Sequence, residues 1–269
     1  MRRIVHALVL VPLTVLHNGF LLADEPLRNA ESPPVAGQFL VIPLRLHVLK
    51  SEALETVDCR LSDDDLRRIL GKVNGIWNKA GIHWGLESIL QEPANLSNKF
   101  RLAIKLDPQP DLAAYCWLLP EKSRRFDGLH VYYLHDFSVN GVWLGDDFAL
   151  VKETAKLREV EGGIDEPIPR VTAHELGHIL GLPHRQERTN LLASGTNGTL
   201  LNTLEVETAR AEAKRIPGVR TYQELLIDLK AAGDRPEAAS YRAWLGEIDR
   251  IAAGVTPAGD EAGRNPPPR

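Results

Sequence analysis

The sequence predicts an α+β fold: a twisted, mixed β-sheet crossed by one long helix and extended at its C-terminal end by a helical hairpin. Three observations predict it. From Phe39 the chain alternates, with Leu40, Ile42, Leu44, Leu46 and Val48 on one face and Val41, Arg45 and His47 on the other, the period of a strand. Leu66, Ile69, Leu70, Val73 and Trp77 then recur at helical spacing, and Ile82-His83-Trp84-Gly85-Leu86 returns to an extended pattern. Beyond Pro217-Gly218 two further helical stripes follow, separated by a turn.

Taken in order, the chain opens with Met1-Arg2-Arg3, a mostly apolar run from Ile4 to Leu16, and Leu22-Ala23 before Asp24-Glu25. A basic start, a short apolar region and a small residue at the cleavage point describe a secretory signal peptide over residues 1–23. The run is too short, and too interrupted by His6 and Pro12, to span a membrane, so export without a stable span is expected. Residues 24–37, with Ser32-Pro33-Pro34, read as a linker. Pro43 inside the first strand predicts an edge position or a bulge. Ser62 followed by Asp63, Asp64 and Asp65 is an N-cap with acids in the first helical turn, and Gly81 ends that helix.

The stretches Phe100–Leu106 and Leu129–Leu134 read as strands. Asn140–Gly145 and Phe148–Val151 fit a strand pair joined by a tight turn. Pro169 lies near the first turn of a helix running to about Leu180, and Gly195–Thr199 reads as a flexible loop. Asn202 and Glu205 form a capping-box start, with Val206, Ala209, Ala213 and Ile216 as the stripe behind it. Tyr222, Leu225, Leu226 and Leu229, then Tyr241, Trp244, Leu245, Ile248 and Ile251, give the hairpin over 219–254; residues 255–269, rich in Pro and Gly, are expected to be disordered. Cys59 and Cys116 in an exported chain suggest one disulfide. His130, His135 and Asp136, like His47 and His83, read as structural polar groups rather than a second metal site.

The chemistry gathers in His174-Glu175-Leu176-Gly177-His178-Ile179-Leu180-Gly181-Leu182-Pro183-His184, an H-E-x-x-H-x-x-G-x-x-H run. On a helix His174 and His178 lie four residues apart and project from one face, so they can share a metal. Gly181 tolerates positive φ and lets the chain double back, so that His184 closes a third side. Three neutral imidazoles suit Zn²⁺ and leave a coordination position for water, as a catalytic site requires.

These eleven residues resemble the signature of the metzincins, a clan of zinc-dependent endopeptidases that includes matrixins and astacins. The resemblance implies a catalytic domain over residues 38–218, His174, His178 and His184 as zinc ligands, and Glu175 as general base. It also implies a turn beneath the metal, matched by Thr189-Asn190-Leu191-Leu192-Ala193-Ser194-Gly195, where Leu192 replaces the clan's Met; the only Met in the chain is Met1. The stretch Gly141, Val142, Trp143 and Leu144 corresponds by position to the edge strand that pairs with an extended substrate; an interior strand without substrate contact is the other reading.

Composition is that of a soluble enzyme: of 269 residues, 43% are hydrophobic and 25% charged, with a formal net charge of −4 and no basic patch calling for nucleic acid. The function expected is a zinc-dependent endopeptidase acting on peptide or protein substrates. The alternatives are a non-catalytic zinc-containing protein that binds peptides without cutting them, and a zinc hydrolase of a non-peptide amide.

Overall fold

The computed structural model describes residues 34–123, 128–145 and 147–254. The expected signal peptide, all but the end of the linker, and the tail over 255–269 lie outside the described residues. Within them the chain forms a mixed α/β fold. In order come β1 (Leu40–Lys50), α1 (Asp63–Trp77), β2 (Ile82–Pro93), α2 (Asn98–Leu106), β3 (Leu129–Leu134), β4 (Gly141–Trp143), β5 (Phe148–Lys152), α3 (Pro167–Ile179), α4 (Thr203–Ala213), β6 (Arg220–Thr221), α5 (Tyr222–Ala232) and α6 (Glu237–Ala252).

The main sheet runs β2-β1-β3-β5-β4, with β6 attached to β1. The pairs β1–β2, β1–β3 and β3–β5 are parallel; β4 runs antiparallel to β5 at the edge of the sheet, and the short β6 antiparallel to β1. Alternation along β1 sorts its side chains. Leu40, Ile42, Leu44, Leu46 and Val48 enter a core shared with α1 and α3, including Leu66, Val73, Trp77, Val171, Ala173 and Leu176. On the other face Leu49 joins a second core with Phe100, Tyr115, Tyr132 and Phe148.

α1 forms where its pattern predicts. Ser62 accepts from the Asp65 N–H, Asp65 reaches back to the Ser62 N–H, and Gly81 turns the chain at φ +66° into β2. Pro43 sits in an interior strand, not at an edge. The missing N–H is tolerated because β1 pairs with β6 only at Leu40 and Val41 and with β3 only from Leu44, so Pro43 falls in the gap. A register shift against β2 follows between Leu44 and Arg45, which is the bulge of the two alternatives.

Three expectations are corrected. Phe100–Leu106 is helical, part of α2, because Ser97 caps the Phe100 N–H and Phe100, Ala103 and Ile104 face the second core at helical spacing. Leu102 and Leu106, which made the run alternate, point outward, 57% and 79% exposed. Cys59 and Cys116 form no disulfide: Cys59 lies in the first core and Cys116 against the second. Cys59 is an inert packed thiol, pushed by burial to about 12. The Gly195–Thr199 stretch is tied down rather than flexible. Thr196 and Asn197 are buried, and Asn197 accepts from the Val160 N–H (2.7 Å) and donates to the Ile164 carbonyl (2.8 Å).

α5 and α6 pack on each other and on the sheet rather than over the helix α3. Leu225, Trp244, Leu245 and Ile248 form a third core with Phe39 and Val41 of the β1 end. Trp244 lies flat on Gly85, where a Cβ would stand 2.6 Å from its ring, and donates to the Leu86 carbonyl (3.2 Å). No described helix is long and apolar enough to cross a membrane.

Candidate metal and active site

α3 starts at Pro167, whose ring sets the helical φ where no N–H partner is needed. Its first turn is tied to α1 through Glu166, which meets Arg68 and Lys72 (3.2 Å). Farther along, Thr172 meets the Tyr133 hydroxyl of β3 at 3.1 Å, and Trp77 donates to the Ala173 carbonyl at 3.2 Å. The face of α3 that carries His174 and His178 is therefore fixed against the sheet and α1.

The helix ends where predicted. Gly181 adopts φ +77°, and the chain folds back so that the Leu182 N–H reaches the Gly177 carbonyl. This turn brings the Leu182 carbonyl to 2.7 Å from His178 Nδ1 and delivers His184 beside the helix. His174 Nδ1 lies 2.8 Å from the Leu191 carbonyl. A carbonyl only accepts, so both Nδ1 atoms donate, and both Nε2 atoms carry lone pairs.

Those lone pairs converge. His178 Nε2 lies 3.1 Å from His174 Nε2 and 3.2 Å from His184 Nε2, and one ligand atom from each ring falls within 4.8 Å of the others. Two lone pairs do not hydrogen-bond to each other. The spacing is that of ligands around one cation, since tetrahedral Zn–N bonds of about 2.05 Å separate nitrogens by about 3.3 Å. Among the described residues this is the single group of three such ligands. Burial pushes His174 down to about 3, with the charge of Arg170 acting in the same direction, and burial lowers His178 as well. Both are therefore neutral at physiological pH, the form that ligates a metal. The donor set fits Zn²⁺.

Glu175 is 5% exposed, and its carboxylate accepts from the backbone of Trp143 in β4. Burial pushes it up to about 8, while the Trp143 N–H and Arg170 act to lower it. Gly141 makes this approach possible. A Cβ there would stand 2.7 Å from Glu175 Oε1 and 2.6 Å from a Val171 methyl. A groove of about 480 Å³ opens here, walled by β4, by Arg170, Val171, His174 and Glu175 of α3, and by Ser194-Gly195. A second depression, formed by Trp143, His178 and Gly181–His184, shares Trp143, His178 and His184 with the first. The Trp143 ring lies parallel to His178, centroids 6.4 Å apart, where the two meet. No residue of α5 or α6 lines either.

The predicted site residues thus fall together: His174, Glu175, His178 and His184, with Gly141, Val142 and Trp143 on the edge strand. Leu144 follows β4 and lies outside the strand. Leu192 is fully buried against α3, within 3.2 Å of where a Cβ on Gly177 would be. Arg170 and Glu205 are residues that sequence reasoning did not connect with the site, and Asn190 was placed in the turn beneath it without a role of its own. All three are buried charged or polar groups around the turn under the histidines. The signal for Arg170 was a charge one turn before His174, on the same helical face.

No protein-family model and no curated protein sequence matches the chain. Among solved structures, it is similar to archaemetzincin from Methanopyrus kandleri (17% identity, 66% of this chain and 98% of that one, TM-score 0.44). Metalloproteinase-II from Bacteroides fragilis follows at 11% identity over 67% of this chain and 55% of that one, TM-score 0.40. A zinc-dependent peptidase from Methanocorpusculum labreanum shares 15% identity over 63% of this chain and 99% of that one, TM-score 0.32. At this distance the functional assignment rests on the site itself.

Proposed function

We propose that the protein is a zinc-dependent endopeptidase of metzincin type, with His174, His178 and His184 as ligands and Glu175 as the catalytic base. The observation that carries the reading is the convergence of three imidazole Nε2 atoms beside a buried carboxylate at a sheet edge. Bound zinc would supply Lewis acidity, lowering the pKa of water toward about 7 and stabilising negative charge on a carbonyl oxygen. Glu175 takes the proton of the attacking water and hands it to the departing amine, its carboxylate held in place by the Trp143 backbone. The β4 edge aligns an extended peptide, and the groove walled by Val171 and Leu157 takes one of its side chains. Endopeptidase action is favoured because two depressions meet at the cluster, sharing Trp143, His178 and His184. Export, expected from residues 1–23, belongs to the same proposal.

The test is Glu175→Gln. The variant is expected to keep one zinc per chain and lose about 10²–10⁴-fold in peptide turnover. Wild-type protein that holds zinc and retains peptides without cleaving any of a broad library would move the assignment to the peptide-binding alternative. Cleavage confined to non-peptide amides would move it to the other.

A further inference from the structure

Taking the zinc-site reading as its premise, we propose that Arg170 is a positioning residue for His174: it clamps the Asn190–Gly198 loop so that the Leu191 carbonyl fixes the imidazole tautomer that can ligate a metal. Arg170 lies one helical turn before His174 and is 2% exposed. Its guanidinium is met by carbonyl oxygens. Nε donates to Gly198 (3.2 Å), and Nη2 donates to Asn190 (3.4 Å) and to Ala193. Asn190 and Ala193 bracket Leu191, whose carbonyl accepts from His174 Nδ1. One rigid fork thus holds the loop on either side of the group that orients the ligand.

The loop is held from its far side too. Asn190 is fully buried; its Oδ1 accepts from the Leu192 N–H (2.6 Å), and its Nδ2 donates to both Glu205 oxygens (3.1 and 2.9 Å). Glu205 also accepts from the Asn202 N–H (2.8 Å) and meets Arg185 Nε at 3.2 Å, just past His184. The path runs from α3 through the loop to α4 and returns beside the third histidine.

A choice at one atom makes the clamp matter. Arg170 Nη1 lies 3.2 Å from His174 Nδ1, and a guanidinium can only donate. If Nδ1 accepted from Arg170, the ring proton would sit on Nε2 and the ligand would be lost. Donation to Leu191 at 2.8 Å leaves Nε2 bare. The Leu191 carbonyl stays within reach only while its neighbours are held, so Arg170 acts through the loop. Lysine offers the same charge without the fork that binds several carbonyls at once.

The experiment measures zinc affinity by competition with a chromophoric chelator, and the visible spectrum of the Co²⁺-substituted protein, for full-length wild type, Arg170→Met and Arg170→Lys. Far-UV circular dichroism reports folding separately. Loss of an orienting partner behind a metal ligand weakens binding about 10–100-fold. That loss is expected in Arg170→Met, with a smaller one in Arg170→Lys and altered Co²⁺ bands in both. A folded Arg170→Met with wild-type affinity and spectrum overturns the proposal. If Arg170→Met does not fold, Arg170→Lys decides by the same criterion, wild-type affinity and spectrum again overturning it. Wild-type protein that takes up no zinc would sink the premise instead, which His178→Ala as a control makes visible.

Discussion

Two clusters of imidazoles lie on opposite faces of the same sheet, and they are built on opposite plans. On the face away from α3, His47 Nδ1 meets Glu92 at 2.6 Å and His47 Nε2 meets His130 Nδ1 at 2.9 Å, with the Tyr132 ring stacked on His47 at 4.2 Å. Each His47 nitrogen has a partner of its own, so the chain of contacts can be satisfied with neutral rings. On the α3 face His174 and His178 turn their Nδ1 atoms outward to carbonyls, and the three rings bring their Nε2 atoms inward toward one another. A linear arrangement completes itself within the protein; a convergent one needs a cation. Residue type is alike in both clusters; His47 and His130 are buried while the convergent set runs from buried His174 to exposed His184, and above all direction separates them.

The largest expected contrast comes from paired substitutions. His178→Ala is expected to abolish zinc binding, read as metal per chain after dialysis, while His47→Ala keeps full zinc content. His47→Ala is instead expected to lower folding stability by about 2–4 kcal/mol, because it removes a fully buried ring together with its bonds to the Glu92 carboxylate and to His130. Chemical denaturation measures it. Zinc loss in His47→Ala would show that the clusters are coupled through the sheet.

Acid should act on the structural face as well. His47 is lowered to about 3 and His83 to about 4, in both cases chiefly by burial. Their folded values lie below the unfolded value of about 6.5, so between these limits the unfolded chain binds more protons. Stability is therefore full above about pH 6.5 and falls as pH drops toward 4, by up to about 1.4 kcal/mol per pH unit for each ring. Urea titrations of metal-free protein across this range check it, and a flat profile would contradict the assignment.

Smaller effects sharpen the convergent site. Gly141→Ala is expected to cost about 1–3 kcal/mol of stability by pushing β4 off Glu175 and Val171, lowering peptide turnover while zinc content is kept. Leu192→Met introduces the residue that the sequence resemblance implies at this turn and is expected to change stability by less than about 1.5 kcal/mol and zinc affinity not at all. Thermal melts and chelator competition read both.

The ligands were legible in the sequence because their geometry is local. Two of them share a helix face, the third follows a glycine turn, and eleven residues hold all three. The clamp was not legible, since Arg170 reaches the carbonyls of residues 20 to 28 positions farther on through a loop whose path no local pattern reveals. α2 was misread for a related reason. In Phe100–Leu106 apolar residues fit a two-residue period as well as a helical one, and only packing shows that Leu102 and Leu106 face water. Compartment logic suggested the disulfide, but two cysteines bound for different cores cannot meet whatever the redox conditions.

The shortness of β4 bears on how long a peptide would stay. The strand has three residues, and the Trp143 backbone is already engaged with Glu175. A chain laid along its free edge gains on the order of two main-chain hydrogen bonds, each contributing about 0.5–1.5 kcal/mol net. Such a hold is weaker than the roughly 4 kcal/mol of a millimolar complex. Dwell time would then be set by the side chain seated in the groove, and fragments that lose this anchor on cleavage would leave quickly. An edge this brief favours turnover over capture.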